Sequence, residues 1–227
     1  MDSGLPKQLM LIGGTTILGH TIARILQIPQ VRHLVIPASG PIRDQVRDIA
    51  AGCIAAAGLT GEVLLDVVAG GKERMDSVGN GLQALQKSGV ALVIVHDAVR
   101  PCFPMDAVAR ALEVAASDGA ALLAMPARDT VKMVDEEGVV ESTPDRRRIW
   151  LAQTPQVFRT DVLARAYEVA LKNGFNATDD ASVAEHAGFP VRVVEGSPDN
   201  IKITYTADLI FAGQWLDRHQ NKTSSRG

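Results

Sequence analysis

Cysteine is nearly missing from this sequence: Cys53 and Cys102 are the whole supply in 227 residues. Neither has a Cys-x-x-Cys partner, so the pair supplies no zinc site and no disulfide framework. Two scattered thiols read as buried free cysteines of a reducing compartment, the cytoplasm. The five histidines are scattered too, without ligand spacing, which leaves no structural metal centre. Aromatic residues are scarce at 4%. The core must therefore be built from Val, Ile, Leu and Ala, a composition that suits strands covered on both faces by small-residue helices. There is no basic excess, since the net charge is -3, and hence no electrostatic footprint for nucleic acid. No apolar run reaches the ~18 residues of a membrane span, and the N-terminus lacks a basic-then-apolar signal segment. No nucleic acid and no membrane is expected as a partner.

What the sequence does have is alternation. Helical spacing runs over 15–28, 41–57, 76–87, 105–117, 160–172, 179–187 and from about 206, with Pro29, Pro41 and Gly58 acting as punctuation. Between these lie short apolar stretches at 33–37, 62–69, 91–95, 120–125 and 191–195, with a further extended segment at 201–204. The run ALVIV at 91–95 is continuously apolar, the pattern of a strand buried on both faces. Strand followed by helix, several times over, predicts a three-layer α/β fold with a mostly parallel twisted sheet and right-handed crossovers. One domain over 1–219 is expected, with a polar tail at 220–227. Residues 126–149 break the rhythm and read as a hairpin turning at Glu136-Glu137-Gly138. So polar an arm buries little by itself, and it is expected to pack on a second copy of the chain rather than on its own domain.

Ligands of a parallel α/β sheet bind beyond the carboxyl ends of the strands. His96-Asp97-Ala98-Val99-Arg100-Pro101 follows directly on the most apolar strand, where an acid can hold Mg²⁺ and an arginine can grip phosphate; the plainer reading is a capping aspartate with a surface arginine. Gly70-Gly71 after a strand can offer backbone N–H groups to a nucleotide, with Ser77 adding a hydroxyl, or be ordinary turn material. Asp199-Asn200-Ile201-Lys202 is either a metal and phosphate contact or a charged turn. Lys7 by itself reads as solvated. Thr154-Pro155-Gln156 sets a hydroxyl and an amide beside the basic run Arg146-Arg147-Arg148. Asp179-Asp180 reads as a helix cap with acidic first-turn support.

The segments PKQ (6–8), HDAVRP (96–101), DTVK (129–132), AQTPQVF (152–158), TDDASVAE (178–185) and EGSPDNIKIT (195–204) are modest signals singly, but their order and spacing are specific. Together they resemble the 2-C-methyl-D-erythritol 4-phosphate cytidylyltransferase family, from the first residues to about position 215. The resemblance implies a nucleotide-diphosphosugar-transferase (Rossmann-like) sheet, CTP and a polyol phosphate as substrates, Mg²⁺ or another divalent cation as cofactor, and a homodimer. It also implies site roles. Lys7 would neutralise the triphosphate and Lys202 would stabilise charge at the α-phosphorus. Asp97 would sit near the metal and the acceptor hydroxyls, with Asp199 as a second acid near the metal. Gly71, Ser77 and Ala98 would line the cytidine pocket, where Lys72 replaces an acid common in the family. Arg100, Thr130, Arg146 and Thr154 would surround the acceptor phosphate, Thr130 and Arg146 arriving from the other subunit's arm. PDRRRIWLAQTPQ favours methylerythritol phosphate as acceptor over ribitol 5-phosphate, the substrate of the nearest sister enzymes.

One departure stands out. Members of that family begin with a strand and a loop resembling PAAGxGxRM before PKQ, whereas Met1 here falls on the last position of that loop. The strand, the loop and its arginine are absent, so the expectation is that the native chain extends upstream. The contrasting expectation is a catalytically silent dimeric binding or structural protein that kept the fold and acceptor binding but lacks the glycine-rich loop. With no activated nucleophile visible, transfer is expected to be direct and in line, without a covalent enzyme intermediate, and to depend on positioning and electrostatics.

Overall fold

A computed structural model describes residues 6–86 and 88–224. The chain opens with a small hairpin, β1 (Leu11–Ile12) and β2 (Thr15–Thr16), turning through Gly13 and Gly14 at φ 57° and 84°. Two consecutive positive φ values need residues without a Cβ, which Gly-Gly supplies. This hairpin takes the first positions expected to be helical, so α1 spans only Ile17–Ile25, with the Thr16 hydroxyl accepting from the Gly19 amide. Next come β3 (His33–Ala38), α2 (Arg43–Ala56), β4 (Leu64–Ala69), α3 (Arg74–Leu85), β5 (Leu92–Val95), α4 (Met105–Asp118) and β6 (Ala120–Pro126). The arm follows as β7 (Met133–Val134) and β8 (Val140–Ser142). It returns through β9 (Trp150–Arg159) to α5 (Thr160–Lys172), α6 (Asp180–His186), β10 (Arg192–Glu195) and α7 (Thr206–Ser224).

Four strands form the main sheet in the order β10-β6-β9-β5. β10 is parallel to β6, but β9 runs antiparallel to both neighbours. The sheet is thus mixed, because the chain leaves β6 for the arm and comes straight back beside it. Side chains alternate across β6. Ala121 and Leu123 pack with Val157 against the small face of α4 (Ala107, Val108, Ala111, Ala115), while Ala120 joins Phe158 under α5 and α6. Those small helix residues bring α4 close to the sheet, giving three layers from an aromatic-poor sequence. The stretch 201–204, expected to be extended, joins no strand.

β3 and β4 form a separate parallel pair, covered by Leu18, Ile22 and Leu26 from and just beyond α1 and by Val46, Ala50 and Ile54 of α2. Between β3 and β5 lies a cavity of about 600 Å³. Residues 33–37 and 90–98 line it consecutively, not alternately. A cavity over a sheet face would meet every second residue, so this one runs along two facing strand edges. Its other walls are single helical stripes: Leu18, Thr21, Ile22 and Ile25 of α1, and Arg74, Ser77, Val78, Gly81, Leu82 and Leu85 of α3. In β5, expected to be buried on both faces, only Val93 is buried; the whole strand borders this cavity and its other residues are part-exposed.

The arm lies apart. β7 pairs only with β8, Lys132 Nζ reaches Thr143 Oγ1 at 2.8 Å across the hairpin, and Ala127 N bonds Ile149 O at 2.9 Å at its base. Met133, Val134, Val139 and Val140 are all more than half exposed on it.

Candidate active site

The loop after β5 is fixed from several sides. The Asp97 backbone N–H donates to the Thr154 hydroxyl at 3.0 Å, and Thr154 is buried on β9. The Thr21 hydroxyl donates to Ala98 O at 2.9 Å. His96 Nε2 lies 2.9 Å from Arg100 O; a carbonyl only accepts, so Nε2 carries the proton. Nδ1 has no partner, and burial pulls the imidazole down to about 4, so the ring stays neutral.

Asp97 stands at the centre. Its Oδ2 is 3.2 Å from Lys202 Nζ and 3.3 Å from Arg100 Nε, and its Oδ1 is 3.8 Å from Arg74 Nε. Burial alone would raise this carboxyl, but Lys202 and Arg100, with Arg74 behind them, hold it below the usual carboxylate range. An ionised acid therefore meets three cations at the carboxyl end of β5. Lys202 arrives by a different route, through the loop after β10. Asn200, fully buried, donates to Thr154 O at 2.8 Å and to Gln153 Oε1 at 3.2 Å, and Gln153 donates to Ser197 O at 2.9 Å. Arg100 closes the connection with an Nη1 bond to Asn200 O at 2.7 Å. The polar middle of β9 is thus a double anchor, holding the Asp97 loop by a side chain and the Lys202 loop by side chain and backbone.

Gly71 and Ser77 meet at the start of α3, where Gly71 N donates to Ser77 Oγ at 2.9 Å. A Cβ on Gly71 would lie 2.0 Å from Asp76 Cβ, so glycine is required there by close approach. Ser77 shares the cavity mouth with Arg74, His96, Asp97 and Ala98. Of the expected site residues, Asp97, Lys202, Arg100 and Thr154 form one bonded cluster, and Ala98, Gly71 and Ser77 stand around it. Lys7 is exposed in a 3-10 turn and makes no ion pair with Asp97. Asp199 accepts the Trp215 indole N–H at 3.2 Å, and no group of three or more potential ligands gathers among the described residues. Thr130 and Arg146 are exposed on the arm, Arg146 donating to Arg128 O at 2.8 Å.

Sequence reading passed over Arg74 and Gln153 and gave Asp180 and Asn200 no place in the site. Asp179 caps α6 as expected, accepting from Ser182 N at 2.9 Å, and Asp180 stands in its first turn as expected. Asp180 is also fully buried, taking Arg74 Nη2 at 2.6 Å and the Tyr167 hydroxyl at 2.7 Å. Burial works against the Arg74 charge, but Asp180 and then Asp97 outweigh it and push its pKa up, while burial first and Asp180 second push the Tyr167 hydroxyl up. Arg74 and Ser77, three apart at the head of one helix, were the available clue.

An acid ringed by cations beyond the carboxyl end of a strand, beside a glycine turn at a helix N-terminus, suits a phosphate-rich substrate. The family model for 2-C-methyl-D-erythritol 4-phosphate cytidylyltransferase (IspD) matches residues 1–218. The enzyme of that name from Syntrophus aciditrophicus is 42% identical over 224 residues, 98% of this chain and 92% of its own. Among solved structures, the 4-diphosphocytidyl-2C-methyl-D-erythritol synthase of Anaerococcus prevotii superposes with a TM-score of 0.81 at 29% identity, covering 95% of this chain and 92% of its own. The Francisella tularensis 2-C-methyl-D-erythritol 4-phosphate cytidylyltransferase gives 0.76 at 32% identity, covering 95% of each chain. With its fold and nearly its whole length in agreement with these relatives, this chain belongs to the 2-C-methyl-D-erythritol 4-phosphate cytidylyltransferase family.

Proposed function

We propose that this protein transfers CMP from CTP to 2-C-methyl-D-erythritol 4-phosphate, releasing pyrophosphate, as a Mg²⁺-dependent cytoplasmic homodimer. The observation that carries the reading is the Lys202–Asp97 pair at 3.2 Å, set beyond β5 with Arg100 and Arg74 around the same carboxylate. The acceptor's terminal hydroxyl attacks the α-phosphorus in line and pyrophosphate leaves. Negative charge shifts onto the non-bridging and leaving oxygens, where Lys202 stabilises it at the α-phosphate and Lys7 further along the triphosphate. Asp97 keeps Lys202 aimed, and its Oδ1, whose ion-pair partner among the described residues is Arg74 at 3.8 Å, has acceptor capacity left for the acceptor's hydroxyls or a cation.

Asp97 is also the group that would hold Mg²⁺. A hard cation that takes one or two protein carboxylates and fills its remaining positions with phosphate and water fits a site with this one central acid, and Asp199 is the candidate for a second. When bound, it would neutralise charge on the triphosphate. Gly71, Ser77 and Ala98 face the cytidine, and Arg100 and Thr154 support the acceptor end. Thr130 and Arg146 complete that end from the partner's arm, a role that accounts for the exposed apolar residues of β7 and β8 in a single chain.

The test is substrate choice. Full-length protein given CTP and Mg²⁺ should release pyrophosphate far faster with 2-C-methyl-D-erythritol 4-phosphate than with ribitol 5-phosphate. The reverse preference would move the chain's acceptor to the sister enzymes' substrate, and no release with either would leave a silent binding protein.

A further inference from the structure

Arg74 is shared between two carboxylates of unequal standing. Its Nη2 is 2.6 Å from Asp180 Oδ2, whereas its Nε is 3.8 Å from Asp97 Oδ1. Asp180 is wholly out of water, and its second oxygen is taken by the Tyr167 hydroxyl. Burying a carboxylate is costly without compensation, so a buried, doubly bonded acid needs a reason. Capping of α6 is not that reason, because Asp179 already performs it. Packing is not either, since an apolar side chain would fill the same space without the desolvation. What Asp180 does is hold a guanidinium in one place through Nη2, leaving its Nε 3.8 Å from Asp97.

We propose that Asp180 and Tyr167, acting through Arg74, are positioning residues for Asp97. Tethered at one end, Arg74 presents a fixed cation to Oδ1 at long range. That sets the plane of the carboxylate and leaves Oδ2 to Lys202 and Arg100. Released from Asp180, the same guanidinium would close on Asp97 as a two-bonded fork and draw it away from Lys202. The tether is built from elements distant in sequence: Tyr167 from α5, Asp180 from α6 and Arg74 from α3. It thereby ties the helices under the sheet to the geometry of the site.

This inference rests on the proposed role of Lys202, and steady-state kinetics can fail the two separately. Asp180→Asn keeps the shape and one acceptor for Arg74, with its NH2 donating to the Tyr167 oxygen in place of the second accepted bond, but removes the tethering charge. It should lower kcat about tenfold while KM for CTP stays within about twofold, because orientation and not substrate binding is disturbed. In an Arg74→Gln background, the same Asp180→Asn change should lower kcat by less than about twofold further, since its effect travels through Arg74. Arg74→Lys sits at a half-exposed helix start and tests the idea even if Asp180→Asn folds poorly. A point charge can satisfy Asp180 but cannot serve both carboxylates, so kcat should again fall about tenfold with KM for CTP unchanged. Wild-type kcat in Arg74→Lys, or an Asp180→Asn loss of equal size with and without Arg74, would overturn the proposal. If Lys202→Ala also keeps wild-type kcat, the reading of the site itself fails; if only the Arg74 and Asp180 variants do, the tether alone is wrong.

Discussion

At the scale of single residues, the site is governed by how three cations divide one carboxylate. Lys202 and Arg100 share Oδ2 of Asp97 at 3.2 and 3.3 Å, and Lys202 is the only one of the two with a half-exposed side chain. Arg100 is largely buried and bonded to Asn200 O, which makes it a brace, while Lys202 has room to meet a substrate. Lys202→Ala should therefore lower kcat much more than it raises KM for CTP, by roughly 10²–10³-fold, the scale of one lost transition-state contact. Near wild-type turnover would make Lys202 an ordinary charged turn residue. His96 sets a second residue-scale expectation. Its folded value of about 4 lies below the unfolded 6.5, so the unfolded chain binds the proton more readily. The stability gained by keeping it neutral is complete above pH 6.5 and drains away as pH falls towards 4, by no more than about 3 kcal/mol. Melting temperatures followed from pH 7 to 4 should fall less steeply for His96→Gln, which keeps a donor for Arg100 O without the titration. Parallel slopes would count against His96 as the source.

At the scale of elements, the arm and β9 repay attention together, because one leads into the other. Among the described residues β7 and β8 pair only with each other, and their apolar residues are more than half exposed. If a second copy covers them and Arg146 serves the partner's site, Arg146→Ala and Lys202→Ala proteins should complement when mixed. About half the exchanged dimers are mixed, and each restores one site of two, so activity should climb towards about a quarter of wild type. No recovery despite verified subunit exchange would keep the arm at home. β9 is also an element to which the sequence assigned no secondary structure. Thr154, Pro155 and Gln156 carry no strand signal, since proline and buried polar residues are poor strand material. In the fold each polar group finds a partner: Thr154 binds Asp97 N, and Gln156 binds Asp179 and Ala181 N. Most helices and the longer strands were legible because their signal is local, a helical period or an apolar run bounded by Gly and Pro, whereas the β1–β2 hairpin hid in a helical period and the apparent strand at 201–204 did not form. Asp97 and Lys202 were legible as candidates, but their meeting was not, because it depends on Asn200 and Gln153, whose partners lie more than forty residues away.

At the scale of the whole molecule, the mixed sheet and its helices superpose on cytidylyltransferases along nearly the full chain, so the Asp97 cluster stands on a scaffold shared with them. In this chain the strands do not form one continuous sheet. β3 and β4 rest on their own core with α1 and α2, the four-stranded sheet rests on another, and the two face each other across a cavity instead of a hydrogen-bonded ladder. A sheet transmits cooperativity through its ladder, and where the ladder stops, so does the obligation to melt together. The smaller unit, two strands wide, should open first. Trp150 lies outside it on β9, whereas Trp215 packs near Cys102 and Ile203 and also meets α1, the Arg24 guanidinium standing 5.0 Å from its ring centroid. Tryptophan fluorescence therefore senses the first step only through the contact of Trp215 with α1, and in urea the loss of far-ultraviolet circular dichroism should begin at lower concentration than the main fluorescence change. Superimposable curves would mean that the helices bridging the gap couple the halves as firmly as a strand would. If the curves separate, the chain unfolds as two bodies, and no single midpoint describes its stability.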